Sequence, residues 1–115
     1  MDIIEMILQG LLGLAFLFAG SGKLFGLQTY KESFENWRLP QWFRVVTGLV
    51  EAVAAIFLII GYWIQEIILY GALIIIAVGI GGIFTHFRAK DSAKDIVPIT
   101  VLGLLGLVLI LLILL

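Results

Sequence analysis

The sequence contains no cysteine, and this absence removes several kinds of chemistry at once. Disulfide bonds, thiol redox reactions and cysteine-ligated metal centres all need a residue that none of the 115 positions holds. Only one histidine is present, His86. A single histidine without cysteine or methionine nearby excludes a histidine-only metal cluster and a haem held by two axial side chains. We therefore predict no metal site and no covalently attached cofactor.

Charge is also scarce. Only 13% of the residues are charged and the net charge is -1, so the composition predicts no nucleic-acid partner. Hydrophobic residues, in contrast, make up 63% of the chain. A soluble domain of this size leaves roughly a third of the surface of its unfolded chain in water, which this composition does not suit. The sequence therefore predicts a single transmembrane domain over residues 1–115, with the lipid bilayer as its solvent.

Long uncharged runs predict four membrane-spanning helices. A helix needs about 20 mainly apolar residues to cross the hydrocarbon core, and these runs are too long and continuous for barrel strands. The predicted fold is an all-α, antiparallel bundle of four transmembrane helices. Their predicted ranges are roughly 3–26, 42–63, 65–88 and 95–115.

The distribution of basic residues predicts the orientation of this bundle. All 7 lysine and arginine residues lie in or next to the first and third connections between the predicted helices. The charged residues on the other side are all acidic, and they include Asp2 and Glu5. Acidic residues near the N-terminus are also atypical of a signal peptide. The positive-inside rule places the two basic connections in the cytoplasm. We therefore expect a multi-pass protein of the cell membrane with both termini outside.

The first connection carries the pattern of a short amphipathic helix. Thr29 and Glu32 fit a capping box, which predicts a helix start. Tyr30, Phe34 and Trp37 share one face of that helix at i, i+4 and i+7. The pattern predicts a helix lying in the membrane interface, with its aromatic face turned towards lipid.

The third connection carries a second signal for a helix start. Asp95 is predicted to cap the fourth transmembrane helix, and Pro98 is expected in its first turn, where no amide donor is needed.

Small and polar residues follow one face of each predicted transmembrane helix. Because small residues let helices approach closely in lipid, we expect these faces to form the bundle interior. They are Gln9, Gly13, Phe16, Gly20 and Lys23 on the first helix, Arg44, Thr47, Gly48, Glu51 and Ala55 on the second, Ala72, Ile75, Gly79, Gly82 and His86 on the third, and Thr100, Gly103 and Gly106 on the fourth.

Glu51 lies near the middle of its span, where an unpaired charge costs about 2.5–3.5 kcal/mol or more. Lys23 lies near the cytoplasmic end of its helix, on the inward face, and we hypothesise that it pairs with Glu51. Two roles stay open for Glu51: a structural anchor, or a group that handles protons or contacts a ligand. Lys23 alternatively extends to the interface, and His86 is either an interfacial hydrogen-bonding residue or a ligand contact.

Five segments carry a recognisable pattern: FLFAGSGKLFG (16–26), W-x-L-P (37–40), GLVEAVAAIFLIIG (48–61), FTHFRAKD (84–91) and PITVLGLLGL (98–107). In this order they resemble the DoxX-like family of small four-helix membrane proteins. The resemblance extends over essentially the whole chain, and its polar positions are Lys23, Glu51, His86, Arg88 and Asp91. It implies that these five residues bind the ligand, with Glu51 as the catalytic candidate.

The resemblance implies function only broadly. Some relatives are the membrane subunit of a thiosulfate:quinone oxidoreductase, others are linked to quinone or thiol-stress responses, and animal relatives assist the assembly of multi-subunit receptors. The first hypothesis is a protein that binds a quinone or lipid-like apolar molecule in its bundle, as the membrane part of a redox system. Since the sequence offers no electron-transfer group, the chain is at most one subunit of an enzyme, with a redox partner protein.

Two other functions stay open at this stage. The chain alternatively acts as a non-catalytic scaffold or assembly factor, with its glycine-lined faces engaging partner membrane proteins. A small transporter, working as a homo-oligomer, is the third hypothesis, although Pro-interrupted spans and a clear internal repeat are missing from the sequence.

Overall fold

The computed structural model describes residues 2–115, and within them the chain forms five α-helices. Four of these are long and apolar enough to cross a membrane, which confirms the predicted bundle of four transmembrane helices. The fifth, α2, is the short amphipathic helix expected between the first two spans. The helices are α1 (Ile3–Phe25), α2 (Gln28–Asn36), α3 (Gln41–Ile60), α4 (Ile67–Arg88) and α5 (Ala93–Leu114).

The four long helices pack as a ring in the order α1, α3, α4 and α5, and α5 closes the ring against α1. Helices that follow one another in the chain are antiparallel neighbours because their connections are short. The connection containing α2 and the connection between α4 and α5 lie at the same end of the bundle. We call this end the basic end, since it carries the lysine and arginine residues.

Glycines set the closest helix crossings, as the small-residue faces predicted. A Cβ atom on Gly20 would lie 2.8 Å from the backbone nitrogen of Ala52 and 2.9 Å from the carbonyl oxygen of Gly48. At the α4–α5 crossing, a Cβ atom on Gly79 would lie 3.3 Å from the Cα atom of Gly103. Backbones in such contact gain dispersion energy in lipid, where no hydrophobic effect drives helices together. The small residues therefore do lie inside the bundle.

Large apolar side chains cover the outside of the bundle. Phe18 on α1 is 78% exposed and Ile80 on α4 is 65% exposed, and similar side chains surround all four long helices. This continuous apolar surface is far larger than the apolar patches that soluble monomers expose. The protein is therefore a multi-pass membrane protein.

The predicted capping box at Thr29 and Glu32 is wrong. Gly26 ends α1 in a left-handed conformation, φ 72°, and the Leu27 amide donates to the carbonyl oxygen of Gly22 at 3.0 Å. This glycine-terminated helix end turns the chain so quickly that α2 starts at Gln28, directly after Leu27. Thr29 therefore already lies in the first turn of α2, and no side chain caps that helix.

The predicted start of the last helix is also wrong. Ser92, in an extended conformation, precedes α5, and its hydroxyl donates to Oδ2 of Asp95 at 3.0 Å. Asp95 lies within the first turn instead of capping it, because the helix begins at Ala93. Pro98 consequently falls in the second turn and not in the first.

The aromatic face of α2 points to the bundle and not to lipid, in contrast to the prediction. Phe34 is 2% exposed, and its ring packs 5.2 Å from that of Trp37 and 6.4 Å from that of Phe43. Edge and tilted contacts between aromatic rings are stabilising beyond the burial of their surface. The short helix α2 therefore closes the basic end of the bundle.

Candidate ligand-binding cavity

A cavity of about 440 Å³ lies beneath α2, between α3 and α4. Its walls are mainly apolar, and Lys23, Glu51 and His86 are its ionisable residues. The volume falls within the range of roughly 300–1,000 Å³ that is typical of small-molecule sites. Such sites also have mainly apolar walls with a few polar groups, as this cavity does. Three of the five predicted ligand-binding residues thus share one cavity.

Lys23 and Glu51 form an ion pair across the contact between α1 and α3. The Nζ atom lies 2.6 Å from Oε1, and the two side chains are 12% and 4% exposed. The two charges are therefore buried and in direct contact. The hypothesised pair is present in the structure, and both of its side chains line the cavity.

Two features of the backbone bring Lys23 to this position. A Cβ atom on Gly48 would lie 3.0 Å from the Cβ atom of Lys23, so a glycine there lets the lysine cross towards α3. Arg44, which is buried, donates from its guanidinium to the carbonyl oxygen of Lys23 and to Oε1 of Gln41, the latter at 2.8 Å. This arginine therefore fixes the end of α1 against the start of α3.

Tyr30 of α2 covers the same lysine. Its ring centre lies 4.7 Å from the Nζ atom of Lys23, a cation–π distance. Burial raises the pKa of the Tyr30 hydroxyl, and the nearby charge of Glu51 raises it further. Tyr30 therefore stays neutral at physiological pH and keeps its hydroxyl proton.

His86 reaches the cavity from α4 and is held by a carboxylate on its outer side. Its Nδ1 atom lies 2.6 Å from Oδ2 of Asp91, and the indole nitrogen of Trp37 donates to the same oxygen at 3.1 Å. The bond with His86 has the largest effect in lowering the pKa of Asp91 below its usual value, and the bond from Trp37 lowers that pKa further. An ionised carboxylate only accepts, so Nδ1 carries a proton, and in the neutral ring Nε2 is left as an acceptor.

Arg88 and Asp91, the other two predicted ligand-binding residues, lie outside the walls of this cavity. The guanidinium of Arg88 donates to the carbonyl oxygen of Trp37 at 2.5 Å. Asp91 holds both His86 and the Trp37 side chain. The two residues therefore attach the end of α2 to the end of α4, which positions the cavity wall.

The cavity has an opening on the side that faces lipid. Val46 and Val50 of α3 line it and are 42% and 39% exposed, and Ala77 and Gly81 of α4, also exposed, face them across the gap. A Cβ atom on Gly81 would meet nothing within 4 Å. The small residues on α4 therefore leave a lateral gap between the two helices.

Three residues that shape this site were not among the five predicted ligand-binding residues. Trp37 and Phe34 line the cavity, and Arg44 fixes the backbone of Lys23. The aromatic spacing on α2 was visible in the sequence, but it does not distinguish a lipid-facing side from one that faces inward. Arg44 carried a usable signal, since it lies on the inward face of α3 one turn before Gly48.

The site offers polar chemistry in an apolar enclosure. Lys23 supplies donors, Glu51 supplies an acceptor that can take up a proton, and His86 supplies one acceptor nitrogen when its ring is neutral. Among the described residues, no three histidine, aspartate or glutamate side chains are grouped as a metal site would need. The arrangement suits a molecule with an apolar body and a polar head that both gives and accepts hydrogen bonds.

Comparison with known proteins agrees with the resemblance noted in the sequence. The model of the DoxX-like family matches residues 7–112, which is nearly the whole chain. Neither the curated proteins nor the solved structures gave a match. All the residues that line the cavity fall within the matched range.

Proposed function

Since the chain belongs to the DoxX-like family, we propose that it binds a quinone or a similar amphipathic molecule in this cavity, as the membrane part of a quinone-linked redox system. The observation that supports this proposal best is the ion pair of Lys23 and Glu51 on the wall of an apolar cavity of about 440 Å³. A buried ion pair costs desolvation energy, and packing alone does not require one.

The residues present fit the polar head of a quinone. Its two carbonyl oxygens are acceptors, and the ammonium of Lys23 is a donor beside the cavity. The reduced form carries hydroxyl groups, for which Glu51 and the Nε2 atom of neutral His86 are acceptors. A quinone, when bound, takes up two electrons and two protons. In this proposal the carboxylate of Glu51 holds or releases one of those protons beside the cavity.

The lateral gap suits a ligand that is dissolved in the membrane. A molecule with a long apolar tail would enter between α3 and α4, past Val50 and Gly81, without crossing water. Its tail would remain in lipid while the head reaches Glu51. The small side chains at Ala77 and Gly81 leave room for such a tail.

The test is mass spectrometry of small molecules that stay bound when the full-length protein is purified from its own membranes. We expect the wild type to retain one kind of amphipathic molecule in near-stoichiometric amount, and Glu51→Gln to lose it. Glu66→Gln is the matched control, because it makes the same chemical change at an exposed position at the opposite end of the bundle. Thermal unfolding of each variant in detergent checks that the bundle is intact.

Two results would overturn the proposal. One is a wild-type protein that retains only bulk phospholipid, in amounts that Glu51→Gln does not change. That result would favour the scaffold function, which depends on surface contacts with partner proteins. The other is a retained quinone with no effect of Glu51→Gln on quinone reduction in the native membrane, which would remove the redox part.

A further inference from the structure

A second cavity, of about 480 Å³, lies at the basic end of the bundle, on the outer side of Trp37. Three of its lining residues are cations: Arg38 after α2, Arg88 at the end of α4, and Lys90 in the following connection. No acidic side chain lines it. The cavity therefore concentrates positive charge on a chain whose net charge is -1.

These cations are not neutralised by the protein itself. Within the described chain, an ion pair joins Lys23 to Glu51 and a short contact joins His86 to Asp91, and none of the three cations takes part in either. Arg88 uses one nitrogen for the carbonyl oxygen of Trp37, which leaves its other donors free. The carboxylate of Asp91, which follows Lys90 in the sequence, is already occupied by His86 and Trp37.

Two of the three cations also have an unusual backbone conformation. Arg38 and Lys90 have φ values of 59° and 58°, in the left-handed region that glycine or asparagine normally occupies after a helix. The positive-inside rule explains why basic residues lie at this end, but it requires neither these conformations nor a concave arrangement. The two helix ends thus bring a cation from each connection to one cavity.

We propose that Arg38, Arg88 and Lys90 form a binding site for a phosphate group, supplied by the headgroup of an anionic phospholipid. A guanidinium binds phosphate through two parallel donors, and basic pockets between membrane helices bind anionic headgroups. Trp37, whose indole is fixed by Asp91, forms the wall towards the membrane interior. The site is separate from the Glu51 cavity and does not depend on the function proposed for it.

The test measures binding of phosphatidic acid to the full-length protein in detergent by native mass spectrometry, with phosphatidylcholine as the neutral-headgroup comparison. The test variant is Arg38→Gln with Lys90→Gln, which leaves the Arg88 bond to Trp37 in place. The matched control is Lys31→Gln with Lys94→Gln, two exposed lysines at the same end that do not line the cavity. Both double variants change the net charge equally.

We expect the test variant to weaken phosphatidic acid binding about 25-fold, since each of the two removed cations contributes about fivefold. The control variant should stay within about threefold of the wild type, because exposed charges away from the ligand are screened by salt. Glu51→Gln should leave this binding unchanged, which separates failure of this site from failure of the ligand cavity.

The source of the phosphate is tested by adding inorganic phosphate at millimolar concentration. No competition supports a membrane lipid as the occupant, and competition supports the same site with a soluble phosphate as a second source. Equal weakening in the test and control variants would overturn the proposal in favour of diffuse surface charge. Equal binding of phosphatidylcholine and phosphatidic acid by the wild type would overturn it as well.

Discussion

Lys23 and Glu51 meet between α1 and α3, and the acid is the more deeply placed partner: its side chain is 4% exposed, against 12% for the lysine. Glu51 also lies near the middle of its span, whereas Lys23 lies in the last turn of α1. The two residues therefore differ in how easily their charges can reach water when the pair is broken. A lysine near the interface can extend its charge to water, and a carboxylate at mid-span cannot.

This difference predicts unequal effects on stability. Lys23→Met should lower the free energy of unfolding by about 3 kcal/mol, because it leaves a buried acid without its cation. Glu51→Gln should cost only about 1 kcal/mol, since Lys23 is then free to reach the interface. The measurement is reversible unfolding in mixed detergent micelles.

The double variant Lys23→Met with Glu51→Gln provides the control for this comparison. Because it removes both charges, we expect it to be more stable than Lys23→Met alone. If the two single variants lose equal stability and the double variant loses their sum, the two side chains are not coupled in the membrane-inserted protein.

Gly20→Ala should destabilise the crossing of α1 and α3. The added methyl group would lie 2.8 Å and 2.9 Å from backbone atoms of Ala52 and Gly48, which cannot move aside as a side chain can. We expect a loss of about 1–3 kcal/mol in the free energy of unfolding.

Gly81→Ala is the matched control for that substitution, since a Cβ atom there meets nothing within 4 Å. It should leave stability unchanged or raise it by up to about 1 kcal/mol, because alanine favours a helix. Equal losses at both glycines would contradict the prediction, because the close contact at Gly20 would then not be what sets the effect.

Larger side chains at Gly81 should block the lateral gap. In the series Gly81→Ala, Gly81→Val and Gly81→Leu, we expect the amount of retained amphipathic ligand to fall as the side chain grows. Stability should change little, because the position is exposed and faces open space. The ligand is quantified by mass spectrometry after purification from native membranes, and full retention in Gly81→Leu would exclude entry between α3 and α4.

The contact between Trp37 and Asp91 should be sensitive to acid. The bond from His86 lowers the pKa of Asp91 in the folded protein, as does the bond from Trp37. Since the folded pKa lies below the ordinary value of 3.8, the stabilising effect is fully present above that value. It is lost as the pH falls through the folded pKa, when the carboxylate gains a proton.

We therefore expect the fluorescence of Trp37 to change below a pH of about 4. The measurement uses a variant with Trp42→Phe and Trp63→Phe, so that Trp37 is the remaining indole. Asp91→Asn in that background keeps an oxygen that can accept from Trp37 but has no carboxylate to titrate. The transition should be missing in Asp91→Asn, and its persistence there would assign it to another group.

The sequence by itself determined the four spans and their inward faces. A bilayer requires long uncharged helices, and in lipid the small residues of each helix turn towards its neighbours. That reasoning is enough to place Gly20, Gly48 and Gly79 inside the bundle. It also brought Lys23 and Glu51 towards one another, because both lie on inward faces and a charge at mid-span needs a partner.

The sequence was a poorer guide to the connections. Local signals favoured Thr29 and Asp95 as helix caps, but the structure has the caps two and three residues earlier, at Leu27 and Ser92. Helix caps depend on how the preceding chain turns, and Gly26 set that turn for α2.

Only the tertiary structure decided which way α2 faces. The aromatic spacing on α2 fits a lipid-facing surface as well as an inward one, since both are apolar. Phe34 is buried against Phe43, and Trp37 is held by Asp91 on a connection 54 residues further along the chain. Hydrogen bonds and packing over such a distance depend on the order of helices in the ring, which short-range patterns do not contain. That order, and not any one motif, forms the cavity above Glu51.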